Sequence, residues 1–488
     1  MVYKQIEEYF SKHPEKSIVE FGRDVIYAEQ YFKYQNIMIR ELEKLGVSKQ
    51  SCIALKVRQG HLCFLLSSAL DKLGAVVMMM DAGMSDYEFE KYLNEYHPAA
   101  VISEVEEPEN ENYVHRTELF LDLICDTRLH VYETRTADGW EKYGQDDKLK
   151  GSFIFFTSGS TKLPKAVFRT KENVRVDGQN NIDYFHITEN DKALCAVSFS
   201  HVYGFGSGSI PYLMSGASVK FLNPFCTIRT LMKELYSGEY TCFIGLPIHY
   251  RLLAEFADKP INIRLALCAG SAVSNNILDE IPKKLGFHIN NMYGMSEMGG
   301  ITTLYDSITD ENMYSLGHTL GEVSVKLGDV AQEDEKQPLY EIWVKSKSLA
   351  PGYFSGEDKE FHNLPLVDGW FNTNDLGYME KDGSVCVKCR KEHMINVSGK
   401  KVNPGEIESA MKEFPGLTDV AVLKKKDDTY GEIPTAYYTA ETELDQVEMK
   451  RFLAERLPNY KMPKELHQIK EFPRSATGKI LRNKIVIE

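Results

Sequence analysis

The segment Phe153-Ile154-Phe155-Phe156-Thr157-Ser158-Gly159-Ser160-Thr161-Lys162-Leu163-Pro164-Lys165-Ala166-Val167-Phe168 leads from one apolar strand into another. Between them lie hydroxyls, one glycine and two lysines. Hydroxyls and exposed backbone N–H groups are what a polyphosphate needs, and a lysine neutralises its charge. A Walker loop, GxxxxGK[ST] opening a helix, is a poor match. No second glycine stands ahead of Lys165, and Pro164 disfavours a helix. The plainer alternative is a polar hairpin turn.

Three further segments carry reactive side chains. Asn290-Asn291-Met292-Tyr293-Gly294-Met295-Ser296-Glu297 places an aromatic, a glycine, a hydroxyl and a carboxylate within five residues. Tyr293 can stack on a base, Ser296 can bind phosphate and Glu297 can hold Mg²⁺. Taken alone, a turn with a solvated glutamate reads as well. In Gly369–Tyr378, Asp375 suits a ribose diol, because a carboxylate accepts from two hydroxyls; a turn aspartate is the alternative. In Pro473–Arg482, Lys479 follows Thr477-Gly478 and can reach into a site from a loop, or simply belong to a solvated basic tail.

These segments need a scaffold. Tyr31, Tyr34, Met38, Leu42 and Leu45 recur at helical steps, which predicts a helix over 28–46 closed by Gly46. A strand at Ser51–Leu55, a helix at Gln59–Leu73 and a strand at Val76–Met80 follow. Ala99–Ser103, Val219–Leu222 and Cys242–Gly245 are further short apolar runs, and the alternation argues for α/β layers. A β-rich stretch, Leu339–Val344 and Ser384–Lys388, precedes Arg390. Beyond it the chain restarts with a helix at Glu406–Glu413, strands at Asp419–Leu423 and Thr435–Thr439, and a helix at Gln446–Leu457.

Composition removes several classes. The chain has 488 residues and a formal charge of −14, which disfavours a nucleic-acid binder. The N-terminus has no apolar core for a signal peptide, and Leu62–Met80 is broken by Asp71, Lys72 and Gly74, so it reads as buried core. Nine cysteines, several in apolar runs, fit free thiols in a reducing compartment, and a cytoplasmic location is expected. Cys386 and Cys389 have CxxC spacing, but a single such pair inside an alternating strand is a weak zinc signal.

Together the four segments resemble the adenylate-forming superfamily: acyl-CoA synthetases, adenylation domains of peptide synthetases, and firefly luciferase. They stand in that family's order and roughly its spacing, over nearly the whole chain. The resemblance implies a large N-terminal domain of layered α/β subdomains, residues 1–389, a hinge at 390–392, and a small mobile α+β lid domain, 393–488. It implies that Thr157, Ser158, Gly159, Ser160, Thr161 and Lys165 bind ATP phosphates. Gly270, Ser271 and Ala272 would lie along adenine, and the run Asn291, Met292, Tyr293, Gly294, Met295 and Ser296 along adenine and α-phosphate. Glu297, with Thr161, would hold Mg²⁺, and Asp375, assisted by Arg390, would grip the ribose. Lys479 would bridge the carboxylate and the α-phosphate. Glu392 falls at the hinge, Gly399 would admit pantetheine, and Lys401 would meet a CoA phosphate.

Ser198–Gly206 resembles the family's His-containing acyl-site motif, with His201 at its centre. It carries no acid for a substrate ammonium, so the expected substrate is a small carboxylic acid without an amine: fatty, short acyl or aryl. Phe205, Met295 and Met298 either shape the acyl pocket or are core. The implied activity is ATP- and Mg²⁺-dependent formation of an acyl-adenylate, then transfer to a thiol. Lys400 and Lys401 tilt the acceptor toward CoA; a carrier-protein phosphopantetheine is the alternative, as is a non-catalytic nucleotide-binding homologue. No carrier domain follows Lys479 within the sequence, and a homodimer stays open. Departures from the family pattern are Lys162 and Ala166 for glycine, Ser296 for threonine, Asn374 for glycine, Cys389 for glycine, and Glu392 at the hinge.

Overall fold

The computed structural model describes residues 2–485 except 50, 108–112, 121–127, 135–150, 158–164, 272, 333–337, 356, 358–359, 399, 428–429 and 476–477. It divides into two compact units. The first comprises Met1–Val323, Ser346–Pro365 and Ala476–Gly478; the second comprises Ser324–Lys345, Leu366–Ser475 and Lys479–Glu488.

The first unit is built on two large sheets. In the seven-stranded sheet the order is Asn290–Asn291, Leu265–Cys268, Cys242–Gly245, Lys192–Cys195, Ser218–Phe221, Ser17–Phe21 and Asp24–Tyr27. All neighbours are parallel except the last hairpin. The nine-stranded sheet has a parallel centre formed by Phe153–Phe156, Val76–Met79, Cys52–Lys56 and Ala100–Ser103, flanked by antiparallel strands. Parallel strands covered on both faces are apolar throughout, which is why these runs lack a clean alternation. The helix Gly60–Leu73 is buried from Gly60 to Asp71 and shares one core with strands of both sheets, including Leu55, Val77, Phe153, Val219 and Ile244. Its burial explains the apolar run at 62–80. No helix among the described residues is long and apolar enough to cross a membrane.

The second unit contains two five-stranded sheets. In the first, Ser324–Gln332, Leu339–Lys345 and Trp370–Met379 are consecutive, and Leu366–Val367 and Val385–Arg390 both pair with Trp370–Met379. In the second, Lys400–Val402, Ile395–Val397, Gly431–Ala440 and Leu417–Asp427 are consecutive, and Glu465–Gln468 runs parallel to Gly431–Ala440. Helices Pro404–Lys412 and Gln446–Ala454 pack Ile407, Met411, Met449 and Leu453 into its core. The compact units divide at Val323/Ser324, ahead of the sequence-based boundary at Arg390.

Candidate active site

In the first unit, three candidate segments follow the C-terminal ends of parallel strands of one sheet. His201 lies beyond Lys192–Cys195, Gly270 and Ser271 beyond Leu265–Cys268, and Met292 and Tyr293 beyond Asn290–Asn291. The carboxyl edge of an open α/β sheet is where such folds bind ligands. The pairing of Cys268 with Asn291 puts the Gly270–Ser271 turn beside Tyr293. Asn290 is consumed structurally: its side chain accepts from the Ala266 N–H at 3.2 Å and donates to the Leu304 carbonyl at 2.9 Å. Tyr293, Met295 and Ser296 are half-buried and Gly294 is exposed, so this turn faces outward from a buried base.

Lys165, Tyr353 and Glu297 form one cluster. The Tyr353 hydroxyl donates to Glu297 Oε1 at 2.7 Å, and the Lys165 ammonium lies 4.8 Å from the centre of the Tyr353 ring. Strand pairing makes this possible, because Gly352–Ser355 lies antiparallel to Ala166–Arg169 with Tyr353 opposite Val167. The Glu297 carbonyl accepts from the Ala350 N–H at 2.7 Å, which fixes the segment that bears the carboxylate. At the mouth of the phosphate-type loop, Thr157 donates its N–H to the Lys165 carbonyl at 3.1 Å, and the Lys165 N–H donates to Thr157 Oγ1 at 3.2 Å. Ser158, Gly159, Ser160 and Thr161 lie outside the described residues, as does Ala272. Glu297 supplies hard carboxylate oxygens, the donor type Mg²⁺ takes, so the residues fit the ion.

Behind this cluster is a buried ion pair that the sequence did not announce. Arg169 ends the strand that follows the loop and is fully buried. It donates through Nη1 and Nη2 to Asp177 Oδ2, both at 3.2 Å, and through Nη2 to the Met298 carbonyl at 2.9 Å. Asp177 also accepts from the Gly300 N–H at 3.3 Å. Burial pushes the Asp177 carboxyl up, and Arg169 and the Gly300 N–H pull it back. Gly299 adopts φ +94°, and a Cβ there would lie 2.0 Å from the Asp177 carboxylate, so only glycine lets the backbone pass. The pair thus ties the strand that leaves the phosphate-type loop to the residues after Glu297. A charge pattern of Arg and Asp eight residues apart gave no sequence signal for it.

His201 is half-buried and its Nδ1 lies 3.4 Å from the Tyr203 N–H. It precedes a π-helical turn, Tyr203–Ser207, a form frequent at functional sites. Gly204 is required there, because a Cβ would sit 2.1 Å from the Ser198 carbonyl oxygen. Phe205 and Met298 are fully buried, and Phe205 packs on Phe153, Phe155 and Phe199; both are core. Met295 is half-buried.

In the second unit, Asp375 is buried on Trp370–Met379, directly opposite Arg390 of Val385–Arg390. Arg390 Nε lies 2.7 Å from Asp375 Oδ1, and Arg390 Nη1 donates to the Thr373 carbonyl at 3.3 Å. Asn374 takes φ +60°, with its N–H donating to Asn372 Oδ1 at 2.8 Å. Asparagine therefore holds the left-handed backbone that glycine would otherwise supply. Burial lowers the Lys479 ammonium below the ordinary lysine range; the Arg390 and Arg482 charges reinforce this and Asp375 and Glu392 oppose it. Lys479, Asp375, Arg390 and Glu392 therefore share one electrostatic environment. Lys479 is held on its loop by a bridge between Arg474 and Ile480 and by donation of the Ser475 N–H to the Lys479 carbonyl at 2.8 Å. Lys401 is exposed on Lys400–Val402, and Gly399 lies outside the described residues.

Residues 6–354 match the family model of the AMP-binding enzymes, and residues 406–479 match the AMP-binding enzyme C-terminal domain. The chain belongs to the AMP-binding enzyme family. A 2-succinylbenzoate–CoA ligase of Listeria monocytogenes serotype 4b (strain F2365) is 28% identical over 448 residues, 91% of this chain and 90% of its own. An indoleacetate–CoA ligase of Aromatoleum aromaticum is 24% identical, covering 99% and 97% of the two chains. Among solved structures, the o-succinylbenzoate CoA synthetase of Bacillus subtilis in complex with its acyl-adenylate intermediate superposes with a TM-score of 0.81 at 22% identity, over 99% and 98% of the chains.

Proposed function

We propose that the protein is an AMP-forming acid–CoA ligase acting on an aryl or arylalkyl carboxylate. A carboxylate oxygen attacks the α-phosphorus of ATP, and pyrophosphate leaves. The CoA thiol then attacks the acyl carbon of the mixed anhydride, loses its proton, and AMP leaves. The observation that carries the reading is the Lys165–Tyr353–Glu297 cluster beside the mouth of a phosphate-type loop. The named relatives act on 2-succinylbenzoate and indoleacetate, which favours an aromatic acid over a fatty one. Their names also favour CoA over a carrier protein. Eight free cysteines among the described residues fit a cytoplasmic location.

Each group has a task. Thr157 and Lys165 meet the β- and γ-phosphates, Tyr293 and the Gly270–Ser271 turn hold adenine, and Ser296 meets the α-phosphate. Glu297 holds Mg²⁺, which neutralises the leaving pyrophosphate. Asp375, oriented by Arg390, accepts from the ribose hydroxyls. The Lys479 ammonium stabilises charge developing between two anions, the substrate carboxylate and the α-phosphate. His201 borders the acyl end. Residues 390–392 act as the hinge that exchanges Lys479 for the Gly399–Lys401 segment in the thioester step.

The test is pyrophosphate release from ATP and Mg²⁺ with 2-succinylbenzoate, indoleacetate, benzoates, fatty acids and amino acids, each with and without CoA. Release with an aromatic acid, rising with CoA and yielding the acyl-CoA, is expected. Silence across the panel would instead favour a nucleotide-binding protein without catalysis. Lys479→Ala should abolish adenylation yet form thioester from supplied acyl-adenylate; equal loss of both steps would remove Lys479 from its role.

A further inference from the structure

We propose that His115, Glu118 and His130 bind a divalent transition-metal cation, with Zn²⁺ the natural fit, on the edge hairpin of the nine-stranded sheet. The strand Tyr113–Phe120 is the last in that sheet and pairs with Arg128–Thr134. One ligating atom from each of the three side chains lies within 4.8 Å of the others, the one such group of three among the described residues. Two imidazoles and a carboxylate are the donor set of open zinc sites and of the facial triad. The set differs in kind from Glu297, whose oxygens suit Mg²⁺.

The backbone builds this convergence. Residues three apart on a regular strand point to opposite faces. Here the register shifts between His115 and Thr117: His115 opposes Tyr132, while Thr117 opposes Val131 and Glu118 opposes His130. The bulge restores His115 and Glu118 to one face, that of His130 and Tyr132. The opposite face sends Leu119, Leu129 and Val131 into the core. The His115 ring stands edge-on to Tyr132 at 5.3 Å and lies 5.7 Å from the His130 ring. Glu118 Oε2 lies 3.3 Å from Arg128 Nη1, which steadies the carboxylate. Its Oε1 stands 3.7 Å from His130 Nδ1, too far for a hydrogen bond and near the spacing of two donors on one metal.

Donors about 2.0–2.1 Å from a tetrahedral zinc are roughly 3.3 Å apart, so the separations in the cluster must shorten by up to about 1.5 Å. His115 and His130 are half-buried and Glu118 is exposed, so side-chain rotation suffices. Three protein donors leave one position for water. The bound ion would cross-link the edge strand to its neighbour.

The test uses tag-free, nucleotide-free protein and Co²⁺ as the spectroscopic probe. Saturable visible absorption at one equivalent, displaced by Zn²⁺, is expected. His130→Asn and Glu118→Gln should each weaken Zn²⁺ binding at least about ten-fold. Glu133→Gln, whose carboxylate pairs with Arg116 on the same hairpin, should leave it unchanged. Magnesium-dependent pyrophosphate release should persist in His130→Asn. No saturable uptake, or uptake indifferent to both ligand substitutions, overturns the site.

Discussion

Tyr353 joins groups that the sequence keeps far apart, donating to Glu297 while lying under the Lys165 ammonium. A carboxylate held by a hydroxyl offers its remaining lone pairs in a fixed direction, which is how an outer partner tunes a metal ligand. Tyr353→Phe should raise the Mg²⁺ concentration for half-maximal adenylation about ten-fold, with the maximal rate little changed. Titrating pyrophosphate release against Mg²⁺ checks this, and an unaltered Mg²⁺ curve would reduce Tyr353 to packing. Glu297 and Lys165 were legible in the sequence because each sits in a dense local motif. Tyr353 and Arg169 were not, since an isolated tyrosine or a strand-end arginine has no local pattern. Their roles arise from strand pairing and from a buried ion pair with Asp177.

At the level of elements, the turn Lys391–His393 is a single 3-10 turn entered from Arg390 at φ −79°, ψ 138°. That extended conformation is the one a residue before proline prefers, and proline suits the first position of a helical turn. Lys391→Pro should therefore hold the observed turn. With this turn in place burial and the Arg390 charge lower the Lys479 ammonium while Asp375 opposes them, and the proposed function assigns this arrangement to adenylation. Pyrophosphate release should survive in Lys391→Pro, while thioester formation from supplied acyl-adenylate should fall at least about ten-fold, the effect of 1.4 kcal/mol on a barrier. Equal rates in both steps would argue against a hinge here. Glu392→Pro is a poorer lock, because it would force Lys391 out of its helical conformation. Elements themselves were largely readable: the expected helix over 28–46 is Ala28–Lys44, and the expected strand 242–245 is Cys242–Gly245. The bulge that aligns His115 with Glu118 was not, because register is set by the partner strand.

For the molecule as a whole, one buried ring is expected to contribute to acid sensitivity. His61 is fully buried at the start of Gly60–Leu73 and stacks on Phe21 at 5.4 Å. Burial lowers its imidazole from 6.5 to about 3. The unfolded chain takes up a proton near pH 6.5 and the folded chain does not, so stability falls as pH drops through 6.5 and keeps falling toward 3. At pH 5 this one residue costs about 2 kcal/mol relative to neutral pH. His61→Leu should lose that much less stability between pH 7 and pH 5 in urea denaturation. Identical losses in the two proteins would mean that His61 stays neutral in both states or is hydrated when folded.

The sequence alone determined the α/β layering and the family resemblance, and it singled out Thr157, Glu297, Asp375 and Lys479 as the side chains to which the proposed function gives roles. Hydrophobic period, turn residues and clustered polar side chains are local properties, and local properties survive in a linear string. Tertiary structure alone decided which carboxylate is steadied by which hydroxyl, where Arg169 finds its counter-charge, and which two histidines meet across a bulged hairpin. Those are contacts between distant residues, fixed by strand order and register, and a pattern read along the chain carries no term for them.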